Sequence, residues 1–320
     1  MKRLGRDVNI SVMTFKITKS NAIINSSYRL SLNEMRIVLF GLSHIDPTSE
    51  DFPLFHQIHI KDLSEFYNIG EKDRGSFYDD IKHALITKFW ERDFSYFDEE
   101  KGVNVKRRWL VGVEYGGNDG LLAYHFNPLI KSELQKLANR FTSYFLSNVA
   151  NMKSAYSMRI YEIAIMYLNA SSKQKTVFNK IISDLKHNLD ISSKYKKFSD
   201  MKKRVLEHAR KEINRHSDIT INYEVIKLGR SPHAVKFTVT RKNKHTEPKV
   251  ITEKIAVPTK ILSTKTLEQA KKLVLQANTG WDLYSIEKQF YAFIKTKEAP
   301  ANLDGAFIGF VKKKVVKPPD

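Results

Sequence analysis

Apolar residues along the chain follow two periods, and the switches between them mark the elements. The first strong pattern is SLNEMRIVLFGLSHID, residues 31–46. Leu32, Met35, Val38, Leu39 and Leu42 keep helical spacing, and Ser31 with Glu34 fits a capping box at its start. IHIKDLSEFYNI, 58–69, reads as a short strand and then a short helix with Leu63 and Phe66 inward. RGSFYDDIKHALITKFWER, 74–92, predicts a longer helix on Phe77, Ile81, Leu85 and Phe89 or Trp90. The period then becomes two. In VNVKRRWLVGVEY, 103–115, every odd position except Arg107 is apolar, and the turns DEEKG and GGNDG flank it. A last strand, LLAYHF, runs to Asn127-Pro128. Helix, short helix, helix and β-hairpin is the order of a winged helix.

The same order returns. SAYSMRIYEIAIMYL, 154–168, is apolar nearly all round and predicts a buried helix. FNKIISDLKHNLDI, 178–191, predicts a second helix and FSDMKKRVLEHARKEINRHSD, 198–218, a third. Strands follow at 220–226 and 233–240, joined by KLGRSP. The repeat lies in element order, not in residue identity. The fold class is therefore α+β: two tandem winged-helix domains plus a C-terminal helical extension. The expected divisions are 1–150 for the first domain, 151–243 for the second, and 244–320 for a linker and extension. Helices are expected there near 264–278, 281–297 and 304–314, punctuated by Gly280 and Pro300, with Trp281, Ile286, Phe290 and Phe293 as an apolar stripe.

Composition narrows the class. The 320 residues include no cysteine, which excludes disulfides and thiolate metal sites. There is no run of 18 apolar residues for a membrane span, and the basic N-terminus lacks the apolar stretch of a signal peptide. A cytosolic protein is expected. Net charge is +19, unevenly spread: Lys and Arg exceed Asp and Glu by 1 over residues 1–150, by 12 over 151–243 and by 6 over 244–320. An acidic polymer is the natural partner of such a surface, nucleic acid before an anionic membrane.

The charge concentrates on the helix at 198–218. On a 3.6-residue period Phe198, Met201, Val205, Ala209 and Ile213 face the core. Ser199, Lys203, Arg210 and Asn214 face away, with Lys202 at the edge, and Ser199 and Asp200 stand where an N-cap belongs. Lys and Arg on one helix are ordinarily a solvated face. Here the helix stands second in a helix-turn-helix and a wing follows, which favours the major groove of double-stranded DNA. Lys194, Lys196 and Lys197 precede the helix and suit phosphates, as do Lys227 and Arg230 in the wing. In the first domain Arg74, Ser76 and Lys82 are opposed by Asp73, Asp79 and Asp80, so only an auxiliary contact is expected there. Arg107 and Arg108 interrupt an apolar strand and suit a solvated edge, a phosphate or a partner subunit.

Catalytic patterns are missing. No two histidines are two residues apart, so the metal site of a nicking replication enzyme is absent, and no GxxxxGK[ST] loop exists. His56 and His59 would face opposite sides of a strand. None of the fourteen tyrosines has an evident activating partner. No catalytic residue, metal or cofactor is expected. The readings left are a replication initiator, a transcription regulator on the same fold, and a nonspecific nucleic-acid or anionic-membrane binder. A nicking enzyme remains the reading that strand breakage in supercoiled plasmid would reveal.

Three stretches carry a family likeness. TKSNAIINSSYRLSLNEMRIVLFGLSHID resembles the opening of the bacterial plasmid replication initiators of the iteron-binding Rep class (the Rep_3 or RepB-like superfamily). KSAYSMRIYEI, 153–163, resembles the helix that opens their second domain, and KKFSDMKKRVLEHARKEINRHSDITINYEVIKLGR, 196–230, their recognition helix and wing. The likeness covers about residues 14–242. It implies binding to direct repeats at an origin as a monomer, and a homodimer, paired through the first domain, that represses its own promoter. It also implies a place in the bacterial cytoplasm and leaves the host initiator and the replicative helicase as further partners. The extension beyond 243 matches poorly.

Overall fold

A computed structural model describes residues 15–45, 47, 55–99, 101–115, 121–134, 140–242, 262, 264–277, 279, 281, 283–295, 300 and 302–316. A short strand, β1 (Lys16–Ser20), and a single-turn helix, α1 (Asn21–Asn25), lead into α2 (Leu32–Leu42). The capping box forms: Ser31 Oγ accepts from the Glu34 amide at 3.3 Å, and Glu34 Oε2 accepts from the Ser31 amide at 2.7 Å. Then come β2 (Phe55–His59), α3 (Ile60–Phe66) and α4 (Arg74–His83). The helix of α4 continues through a π turn, Ala84–Lys88, and a 3₁₀ turn, Phe89–Glu91. Phe77, Ile81, Leu85 and Phe89 are buried as expected, while Trp90 points out.

The expected single strand over 103–115 is two. β3 (Asp93–Asp98) pairs with β4 (Val103–Arg108), and β5 (Leu110–Tyr115) pairs with β6 (Leu121–Phe126). Trp109 makes the break. It is fully buried, its ring 4.9 Å from Phe94 and 5.2 Å from Tyr28, and the chain changes sheets on either side of it. Alternation in the sequence continues through Trp109, so periodicity alone did not show the switch. The β3–β4 turn needs Gly102 at φ +66, and its amide donates to the Asp98 carbonyl at 2.8 Å. GGNDG lies outside the described residues. The first sheet runs in the order β2-β6-β5. His56 in β2 is a core residue, stacked 5.5 Å from Tyr124.

A 3₁₀ segment, Pro128–Glu133, leads to β7 (Phe141–Phe145), which pairs antiparallel with β1. After α5 (Ser147–Ala150) the chain enters α6 (Ala155–Ser171). Ten consecutive residues of α6, 157–166, are buried. The cause is its position. It packs against α1 and β7 on one side and against the second winged helix on the other, so no face is left for water. The second unit continues with β8 (Lys175–Ile181), α7 (Ile182–Asn188), a loop, and one long helix. That helix comprises α8 (Phe198–Met201), a π turn over Lys202–Leu206 and α9 (Glu207–His216). The wing is β9 (Ile219–Leu228) and β10 (Ser231–Arg241).

The expected helix over 178–191 is thus a strand followed by a shorter helix. Phe178, Ile181, Ile182 and Leu185 recur with helical spacing, but β10 offers an open edge, and β8 pairs along it with Phe178 opposite Phe237. Phe178 also stacks on Tyr167 of α6 at 4.0 Å. The sheet order β8-β10-β9 repeats the β2-β6-β5 order of the first domain.

Charges bury themselves where the two units meet. Glu162 of α6 accepts from Lys19 Nζ (2.6 Å), the Tyr144 hydroxyl (2.6 Å), Arg159 Nη1 (2.9 Å) and the Tyr28 hydroxyl (3.3 Å). Arg159 also donates to the carbonyls of Ile24, Ser26 and Asn188, and stacks 3.8 Å over Tyr28. Burial pushes the Glu162 carboxyl up, but the charges of Lys19 and Arg159 outweigh it and hold the group below its ordinary range. Lys19 faces one carboxylate and a second cation, so burial lowers its ammonium pKa.

Beyond the wing, α10 (Thr264–Ala277), α11 (Leu283–Lys295) and α12 (Leu303–Lys314) lie close to the expected spans. Of the expected stripe, Ile286 and Phe290 are buried, Trp281 is half-buried, and Phe293 is exposed.

Candidate DNA interface

The helix-turn-helix of the second unit is α7, the loop 189–197 and the α8–α9 helix. Leu189 and Ile191 sink into the core and pin the loop. Asp190 and Tyr195 take positive φ values, +50 and +53. Lys186 donates to the carbonyls of Lys194 (3.3 Å) and Tyr195 (3.0 Å), which fixes the loop's exit. Lys196 and Lys197 are therefore held exposed at the helix entrance, with Lys194 half-buried beside them.

The back of the α8–α9 helix is as expected: Met201, Val205, Ala209 and Ile213 are buried. The front is not. The π turn inserts one residue, so everything after it shifts by one position relative to a 3.6-residue period. The exposed line runs Ser199, Lys203, His208, Lys211, Arg215, with Lys202 and Arg204 alongside. Asn214 and Arg210 have turned away. Asn214 Oδ1 accepts from the Ile221 amide at 2.6 Å and its Nδ2 donates to the Ile221 carbonyl at 3.1 Å. This corrects its expected place on the DNA face: both its polar groups staple the helix to β9. Arg210 donates to Glu207 Oε2 at 3.1 and 3.2 Å, and Glu207 Oε1 accepts from the Tyr223 hydroxyl at 2.6 Å. The Tyr223 hydrogen bond, against a small burial effect and with help from Arg210, holds the Glu207 carboxyl below its ordinary range. Arg210 is a half-exposed brace between helix and wing.

Lys211, Arg215, Arg204 and His208 were missed by the 3.6-residue reading. A signal existed. Met201, Val205, Ala209 and Ile213 are spaced by four throughout. On a regular α-helix such a set would drift by about 120° over its length, so burying all four requires a wider turn.

In the wing, Lys227 and Arg230 are exposed on either side of Gly229, whose φ is +61. The loop, the front of the helix and the wing of the second unit thus each expose basic residues.

The first domain's counterparts are more committed. Arg74 lies 3.8 Å from Glu65 and 3.9 Å from Glu71. Ser76 Oγ donates to the Asp73 carbonyl at 3.0 Å, and Lys82 sits 5.9 Å over the Tyr78 ring. Arg107 donates to the Leu129 carbonyl at 2.7 Å and pairs with Glu133 at 3.4 Å, so it anchors the 128–133 segment rather than standing free on an edge. Arg108 is exposed.

Two winged helices in tandem, the second with basic residues exposed on its helix, loop and wing, define a DNA-binding protein of the winged-helix class. Comparison with known families makes this specific. The family "Initiator Replication protein, WH1" matches residues 16–165, and "Initiator Rep protein, WH2" matches residues 181–239. The chain belongs to the initiator Rep proteins, a family of DNA-binding replication initiators and not of enzymes. Among solved structures it is similar to the Pi initiator protein, whose crystal structure is in complex with iteron DNA. The TM-score is 0.61 and the identity 20%, over 72% of this chain and 99% of that one. It is also similar to an uncharacterized 27.6 kDa protein of Escherichia coli, 21% identical over 222 residues, which are 67% of this chain and 91% of that one. The structure of the WH1 domain of the replication protein MSBI1.176, isolated from a multiple sclerosis patient, is 24% identical over 32% of this chain and 75% of that one, with a TM-score of 0.24. Among the described residues no helix is long and apolar enough to cross a membrane.

Proposed function

We propose that this protein starts replication of a bacterial plasmid by binding direct repeats at the origin with its second winged helix. The observation that carries the reading is the front of the α8–α9 helix, where Lys203, Lys211 and Arg215 are exposed, together with Lys196 and Lys197 on the preceding loop and Lys227 and Arg230 on the following wing. The likeness to an initiator solved on iteron DNA supports the choice of direct repeats. Origin opening in this reading draws on binding energy and DNA distortion, with no covalent step.

The first domain serves dimerisation in the same reading. Its net charge is near zero, which suits protein contact better than DNA. Trp90 (39% exposed), Val111 and Leu129 (66% exposed) line one groove on it, with Lys106, Arg107 and Arg108 along the same groove. A dimer joined there represses the protein's own promoter, a monomer acts at the origin, and the host initiator and helicase join afterwards in the bacterial cytoplasm.

The test is a footprint on DNA flanking the gene, with competitor DNA at near-physiological salt. Protection of direct repeats in a regular phase of about two helical turns supports the initiator reading. Protection of an inverted repeat alone at the promoter would make the protein a repressor on the same fold. Absence of any preferred sequence would leave a charge-driven binder.

A further inference from the structure

The helices α10, α11 and α12 enclose a core of their own. Leu262, Ala270, Val274, Ile286, Phe290, Ile294, Leu303, Phe307 and Val311 form a cluster separate from that of the winged helices. Both family matches end before it begins.

One part of this unit sets aromatic rings and ammonium groups together. Phe293 of α11 is 45% exposed, and its ring lies 5.6 Å from Phe310 of α12. Lys314 Nζ stands 5.4 Å from the Trp281 ring and 5.7 Å from the Phe310 ring. Lys312 and Lys313, on the same last turn, are exposed. Lysines at a helix C-terminus complement the helix dipole, and that alone accounts for their position. It does not account for the 45% exposure of Phe293, which reaches these lysines' turn through Phe310, when a hydrophobic core lies within the same three helices.

From this juxtaposition we infer that the C-terminal unit binds single-stranded DNA, with Phe293 and Phe310 stacking bases and Lys312, Lys313 and Lys314 meeting the backbone. A duplex hides the faces of its bases; a single strand offers them, together with a phosphate per nucleotide. Aromatic rings interleaved with lysines match the second ligand and not the first. Residues 243–261 let the unit lie at most about 70 Å from the end of the wing, so a strand released next to a bound duplex site is within reach. The source of that strand rests on the initiator reading; the binding site itself does not.

The test uses the full chain and fluorescence anisotropy with labelled oligo(dT) over a salt series, with the origin duplex measured in parallel. Phe293→Ala is expected to weaken oligo(dT) binding about tenfold, and Phe293→Tyr to restore it. Replacing both Lys312 and Lys313 by Ala should reduce the slope of log K against log salt by about 1.4. Duplex binding should stay unchanged in all three. Oligo(dT) affinity that ignores these changes would overturn the proposal, as would parallel loss of oligo(dT) and duplex binding. So would variants that alter only self-association or binding to anionic vesicles, which would make the patch a protein or lipid surface. If the wild type binds no origin duplex yet holds oligo(dT) through Phe293, the initiator reading fails and the single-strand site stands.

Discussion

Glu162 shows how much one residue can decide. It is a carboxylate on a helix whose residues 157–166 are all buried, and four donors from β1, α1's following segment, β7 and α6 converge on it. Two buried cations depend on it, so removing it leaves both uncompensated. Glu162→Ala should destabilise the fold by about 3–5 kcal/mol in urea unfolding. The pH dependence has a definite sign. A carboxyl held below its ordinary value of 4.5 contributes its stability fully above that pH and loses it as pH falls through the lower folded value. The stability gap between wild type and Glu162→Gln should thus be flat from neutral pH down to about 4.5 and narrow below it. A gap that does not change in acid would mean that Glu162 is not held ionised. None of this was legible in the sequence. Arg159 and Glu162 interrupt an apolar run and could have faced water; the partners that bury them, Lys19 and Tyr28, lie more than 130 positions away.

At the scale of elements, locally determined features were legible and remotely determined ones were not. The capping box of α2, the buried face of α4 and the alternation of β9 and β10 depend on neighbours in sequence, and all are present. The strands β1, β7 and β8 went unseen because each is a strand only by virtue of a partner far along the chain. Alone, β8 has the spacing of a helix, and its partner begins 50 residues on. The π turn at Lys202–Leu206 lies between these cases, because the four-residue spacing of the buried set announces it. It leads to a contrast between two sets of substitutions. Lys211→Ala with Arg215→Ala should weaken DNA binding and lower the salt slope by about one unit for each phosphate that is no longer neutralised. Asn214→Ala should cost about 1–3 kcal/mol of stability by leaving the Ile221 groups unpaired, with specificity intact in the folded protein. Gel shifts over a salt series and urea unfolding on both variants separate the outcomes; the reverse result would restore a regular α-helix with Asn214 on its front.

For the whole molecule, function follows from where charge is placed relative to shape. Residues 1–150 are nearly neutral and carry a groove where Trp90, Val111 and Leu129 are exposed beside Lys106, Arg107 and Arg108; residues 151–243 have twelve excess positive charges, with basic residues exposed on loop, helix and wing. α6 and its buried charges tie the two units together through the bonds of Lys19, Tyr28 and Tyr144 to Glu162. The front of the interface offers Lys194, Lys196, Lys197, Lys202, Lys203, Lys211, Arg215, Lys227 and Arg230. If all of them meet phosphates, log K should fall against log salt with a slope of about −8. Scrambling the origin repeat should weaken binding by orders of magnitude while leaving most of that slope, because phosphate contacts position the protein and base contacts specify. Leu129→Glu should shift the full chain towards monomer in sedimentation experiments and leave the slope for a single repeat alone, since Leu129 lies in the first unit's groove. A slope that collapses with Leu129→Glu would place that groove against DNA and remove the separation of roles between the two units.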